Sequence, residues 1–164
     1  MLSRKCFTSM VVPVAMLSVA AAAVQSRKAQ DSPDQKEFYN YVLTMDKVQK
    51  LGNATKDLTE LLARHPEMQS GSSDYNLDQI TQQMQKYPEA VAILKKNGLT
   101  PREYVVGTKT LIQASMAVGL KKDGTYKEYP PELLKVVSPA NLAFVEKHFD
   151  EIHKVLRGSS SSNK

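Results

Sequence analysis

The sequence predicts an all-α protein: an irregular bundle of four to five helices around a buried central helix, in a single domain. Three observations carry this. Apolar residues recur at alternating spacings of three and four in several segments, as one face of a helix requires. Two helix starts, Thr100-Pro101 and Ser138-Pro139, pair a capping residue with a proline that loses no needed donor. The stretch from Thr110 to Leu120 holds no charged residue, which marks it as the buried centre. Neither an internal repeat nor a sheet is legible.

Residues 24–36 are polar and carry Pro33, and with the next few residues they read as a flexible or extended lead-in spanning 24–43. The aromatic and β-branched run from Phe38 to Leu43 favours extended structure, although Ser32-Pro33-Asp34-Gln35 can also cap a helix. The helical domain is expected over 44–157. Thr44 caps a helix with Asp46 at its second position, and Val48, Leu51, Thr55, Leu58 and Leu62 form its stripe. Gly52 weakens that helix locally, and His65-Pro66 ends it, because the residue before a proline is pushed from helical geometry. Gln69 to Asp74 is a loop by composition.

Leu77, Ile80, Met84 and Tyr87 mark a second, short helix, and Pro88 separates it from a third that starts at Glu89 and carries Val91 and Leu94. Asn97-Gly98 closes the third with residues that tolerate the left-handed conformation. The central helix opens at Thr100, where Glu103 can complete a capping box and Leu99 with Tyr104 a hydrophobic staple, and it runs to about Leu120. Within it Ala114, Ser115, Ala117 and Gly119 suit close helix packing. Lys121 to Gly124 turns the chain, and Pro130-Pro131 delays the next helix. The last helix starts at Ser138 and carries Leu142, Val145, Phe149, Ile152 and Leu156 on one face, before a disordered tail over 158–164.

The N-terminus reads as an export signal. Basic Arg4 and Lys5 precede an uncharged run from Cys6 to Val24, and charge resumes at Arg27. Ala21-Ala22-Ala23 supplies the small residues that signal peptidase needs, placing a signal peptide at 1–23; a second cut can follow Ser26. A retained membrane anchor is the rival, disfavoured by Pro13 and the alanine-rich end. Cys6 lies before the apolar run, where a lipoprotein cysteine does not. Cleavage removes this sole cysteine, which excludes disulfides, thiolate metal sites, covalent c-type haem and cysteine nucleophiles from the mature chain. It also leaves 20 basic residues against 17 acidic ones, too small an excess to imply nucleic acid, and no basic block with interleaved aromatics occurs. A periplasmic or secreted location follows, with no stable membrane span after cleavage.

No catalytic residue is nominated, since no nucleophile elbow, S-x-x-K or phosphate-cradling glycine loop is present. The mature chain has His65, His148 and His153. The last two are separated by about 140° on a straight helix and do not share a metal easily. Glu146, Asp150 and His153 fall along one ridge and are the candidate metal ligands, with His148 as a substitute; an ion-pair ridge explains the same spacing. Met45, Met84 and Met116 fall on faces assigned as apolar and are expected to fill the core rather than to ligate haem or copper. Tyr126 and Tyr129, beside lysines and the proline pair, are candidate partner contacts, or else fold onto the bundle.

The segments Asn97-Gly98-Leu99-Thr100-Pro101-Arg102-Glu103-Tyr104, Gln113-Ala114-Ser115-Met116-Ala117 and Pro139-Ala140-Asn141-Leu142-Ala143-Phe144-Val145-Glu146-Lys147-His148 resemble a group of small, signal-peptide-bearing bacterial helical proteins to which no function is assigned. The resemblance covers about the C-terminal half of the mature chain, and implies a bacterial envelope setting without catalytic residues. Leu99-Thr100 is also similar to the start of the L-T-x-x-Q motif of periplasmic chaperones. Here Glu103 stands where that motif has glutamine, and one copy is present.

The function expected is therefore a non-enzymatic binding or interaction module of the cell envelope, meeting a protein or small ligand through a groove between helices or through the tyrosine-bearing loop. A metal- or haem-binding bundle is the alternative. A chaperone for unfolded chains, which would expose an apolar concave surface, is the third reading. No cofactor is predicted unless the metal or haem reading holds.

Overall fold

Eight helices make up the regular structure of residues 32–65 and 76–160, the residues described in the computed structural model. In chain order they are α1 (Pro33–Asn40), α2 (Met45–Arg64), α3 (Leu77–Gln85), α4 (Pro88–Lys96), α5 (Pro101–Lys122), α6 (Pro131–Leu134), α7 (Pro139–Lys147) and α8 (Phe149–Ser160). The fold is all-α, with more and shorter helices than the four or five expected. The expected export signal, the expected loop at Gln69 to Asp74 and positions 161–164 of the expected tail lie outside the described residues. Among the described residues no helix is long and apolar enough to cross a membrane.

Helix α5 is the hub, packing against α1, α2, α3, α4 and α7, while α8 lies along α2. Its start forms as its residues dictate. The Thr100 hydroxyl accepts from the Glu103 amide at 3.1 Å, and the Glu103 carboxylate accepts from the Thr100 amide at 2.9 Å. Helix α4 ends equally locally: Gly98 takes φ +69°, its amide bonds to Lys95 O at 3.0 Å, and the Leu99 amide bonds to Leu94 O at 2.9 Å. These paired closing bonds aim the chain from α4 into α5.

The main core joins Val48, Leu51, Ala54, Leu58 and Leu61 of α2 to Leu111, Ala114, Ala117 and Val118 of α5 and to Leu142, Val145 and Ile152 from the C-terminal helices. On α2 the buried stripe passes through Leu61 where Leu62 was expected, and Thr55 Oγ1 instead lies 3.2 Å from Tyr104 Oη. A smaller cluster of Phe38, Leu77 and Val106 seats α1.

Helix α1 corrects the expected lead-in. The Ser32 hydroxyl accepts from the Gln35 amide at 3.1 Å and Pro33 occupies the first turn, so the cap prevails over the extended preference of the aromatics. Tertiary bonds complete the case: Thr110 Oγ1 donates to Phe38 O at 3.2 Å, and Asp34 Oδ2 accepts from the Leu77 amide at 2.8 Å. The segment is thus part of the domain, extended only between Asn40 and Met45.

Four further expectations change. The last helix is interrupted at His148, whose backbone sits at φ −111°, ψ 19°, so α7 and α8 are separate, although all five residues of the expected apolar face pack into the core. Helix α8 then continues through Gly158 to Ser160, past the expected start of the tail. Met116 is 63% exposed rather than core-filling, whereas Met45 and Met84 pack against the core. The close approach to α5 is at Gly107, where an added Cβ would lie 2.9 Å from Tyr41 Oη, and not at Gly119, where it would meet nothing within 4 Å.

Candidate functional site

Helices α2 and α8 bury their apolar stripes against each other and leave a polar groove along the seam. Gln49, Asn53 and Lys56 stand at one-turn intervals on the α2 wall. Glu151, Lys154, Val155 and Gly158 repeat that spacing on α8. The groove is open and encloses about 540 Å³, a volume within the range of small-ligand sites. Among the described residues the side chains of Gln49, Asn53, Lys56 and Lys154 form no hydrogen bond or ion pair. Glu151 turns away toward His148, whose Nδ1 is 3.3 Å from its carboxylate. That leaves two ammonium groups and two primary amides directed at solvent on facing walls.

A second, smaller cleft of about 260 Å³ lies where α1, α3 and α5 meet, walled by Phe38, Leu77, Ile80 and Val105. Its polar groups are already engaged. Asp34 caps the start of α3 through Leu77, and Lys109 Nζ lies 4.2 Å above the Phe38 ring.

The candidate metal ligands do not converge. Glu146 Oε1 accepts from Lys121 Nζ at 2.6 Å and from Tyr129 Oη at 2.7 Å. Lys121, and after it Tyr129, hold the Glu146 carboxyl below the usual glutamate range. Burial, and after it Glu146, push the Tyr129 phenol up, so the proton stays on the tyrosine. The His153 ring tilts against Phe149 at 4.3 Å between centroids. The expected ridge assumed one straight helix, and the break at His148 divides Glu146 from Asp150 and His153. Among the described residues no group of three or more His, Cys, Asp or Glu side chains is placed to hold a metal ion. His148 itself lies 5.0 Å from the Phe144 ring, and His65 lies 3.7 Å from the Glu89 carboxylate.

Tyr129 folds onto the bundle, with Lys121 Nζ 4.5 Å above its ring, and is part-buried against the core. Tyr126 is also part-buried, its amide bonded to Leu120 O at 2.9 Å. Tyr129 thus ties the 123–130 loop to Glu146 of α7 and Lys121 of α5, while the Tyr126 amide closes the loop onto the end of α5. Ile112 and Met116 instead give α5 an exposed apolar edge, 50% and 63% accessible.

The residues of the α2–α8 groove went unnoticed in the sequence, where Gln49, Asn53 and Lys56 are only the polar side of an amphipathic helix. The available signal was their repeat at the same interval as Glu151, Lys154 and Gly158. Comparison of the chain with protein-family models, with curated proteins and with solved structures finds no match to any of them.

Proposed function

We propose that this chain is an exported, non-enzymatic binding module of the bacterial cell envelope, and that its binding surface is the groove between α2 and α8. One observation carries the reading. Among the described residues, four polar side chains without partners gather on the two walls of a volume suited to a ligand, and the charged pairs Lys121–Glu146, Arg102–Glu37 and Lys96–Asp57 lie outside it. Unspent donors facing one another are what a binding site holds in reserve. Export rests on the basic, apolar and small-residue zones of residues 1–23, and the bacterial envelope on the resemblance described above.

A photo-crosslinking residue at Asn53, expressed in a bacterial host with the signal intact, tests this. The expected result is a covalent adduct with an envelope component from Asn53 and none from Lys95, on another face. Equal labelling from both positions, or none from either, defeats the reading.

A further inference from the structure

We infer that the α2–α8 groove takes an acidic sugar, a hydroxylated ring bearing a carboxylate; this rests on the groove being the binding surface and names its ligand. The charge balance of the walls sets the sign of the ligand. Lys56 and Lys154 bring two ammonium groups, and the single carboxylate, Glu151, is turned to His148. An anion offsets that excess, and an ammonium binds it as a point charge without demanding a planar partner.

The uncharged groups select a hydroxylated ring over a bare anion. Gln49 and Asn53 each present a carbonyl acceptor and an amide donor, and they stand one helical turn apart on the same wall. A row of vicinal hydroxyls, each both donor and acceptor, matches that alternation. The floor fits as well. Val155 is the apolar side chain of the lining and can meet the C–H face of a ring. Gly158 leaves one end open, since a Cβ there would meet nothing within 4 Å. An open-ended trough admits a sugar within a longer glycan as readily as a free one.

The test is a titration of the full mature chain followed by the side-chain amide resonances of Gln49 and Asn53. The probes are galacturonic acid, its trimer, N-acetylmuramic acid, neutral galactose, succinate and an acidic hexapeptide. The sugar acids are expected to shift both amides saturably, with galactose and succinate at least about tenfold weaker. Lys56→Gln and Lys154→Gln should each weaken binding about tenfold while Lys95→Gln leaves it unchanged; unchanged melting temperatures show that the exposed substitutions spare the fold. Tighter binding of the trimer than of the monomer assigns the site to a polymer, and equal binding to a free sugar acid; both outcomes support the ligand class. Equal binding of succinate, preference for the hexapeptide, or no shift with any sugar acid overturns it. If that happens while Asn53 still crosslinks to an envelope component, the ligand class alone falls. If the crosslink also fails, the groove falls with it.

Discussion

Asn141 closes the backbone of Leu43 across the core: its Oδ1 accepts from the Leu43 amide at 3.0 Å, and its Nδ2 donates to Tyr41 O at 2.7 Å. Asn141 is 1% exposed. The carboxamide thus satisfies two backbone groups of the extended stretch between α1 and α2, where no helix provides partners.

Replacing Asn141 by alanine should therefore destabilise the protein by roughly 2–4 kcal/mol, since each buried group left unpaired costs about 1–3 kcal/mol. Leucine should not rescue it, although it restores apolar volume, because the Leu43 amide and the Tyr41 carbonyl stay unpaired. Denaturant unfolding of N141A and N141L checks this. A loss below about half a kilocalorie in either variant would show that solvent reaches these groups.

Two glycines of α5 predict opposite outcomes for the same substitution. At Gly107 an added Cβ meets Tyr41 Oη at 2.9 Å and Leu51 Cδ1 at 3.0 Å, so the packed Tyr41 and Leu51 side chains must shift, at a cost of about 1–3 kcal/mol. At Gly119 it enters open space, and G119A should stabilise by about 0.5–1 kcal/mol through helix propensity. Thermal melts of the two variants should move in opposite directions; movement in the same direction would contradict the packing of Tyr41 against α5.

Glu146 predicts an acid-sensitive anchor for the 123–130 loop. Its carboxyl is held below the ordinary 4.5 by Lys121 first and Tyr129 second. A depressed folded pKa contributes stability that is complete above the unfolded value and is lost as pH falls through the folded one. The melting temperature should drop as pH goes below about 4.5, and E146Q should flatten that limb. Tyr129→Phe should raise the Glu146 pKa, read directly from its side-chain carboxyl resonance.

What the sequence made legible follows the range of the forces involved. The Thr100–Glu103 box, the Gly98 turn and the Thr44 cap rest on neighbours within a few positions, and the Thr44 hydroxyl does accept from the Lys47 amide at 3.3 Å. Helix α1 was obscured because its decisive contacts, Phe38 with Thr110 and Asp34 with Leu77, reach far along the chain. Asn141 was visible only as a residue of a helix start, since its partners lie 98 and 100 positions away. The candidate groove shares that limit. Each wall is a simple one-turn repeat, and only the packing of α8 on α2 sets the two face to face.

Arg102 gives the last prediction, because one guanidinium joins three helices. From α5 its Nε and Nη2 donate to the Glu37 carboxylate of α1 at 2.9 and 2.6 Å, and its Nη1 reaches Asp78 of α3. Lysine keeps the charge and loses the fork, so it can meet one carboxylate at a time. The cluster is partly exposed, with Arg102 42% accessible, which limits the cost of R102K to about 1 kcal/mol. The effect should be local rather than global. Helix α1 is short and is seated by the small Phe38, Leu77 and Val106 cluster, so losing the tether should speed amide exchange over Pro33–Asn40 while leaving α2 unchanged. High salt should narrow the difference between R102K and the parent, because ions screen an exposed pair. Uniform acceleration across α1 and α2 would mean that Arg102 supports the whole bundle and that α1 is no separate unit.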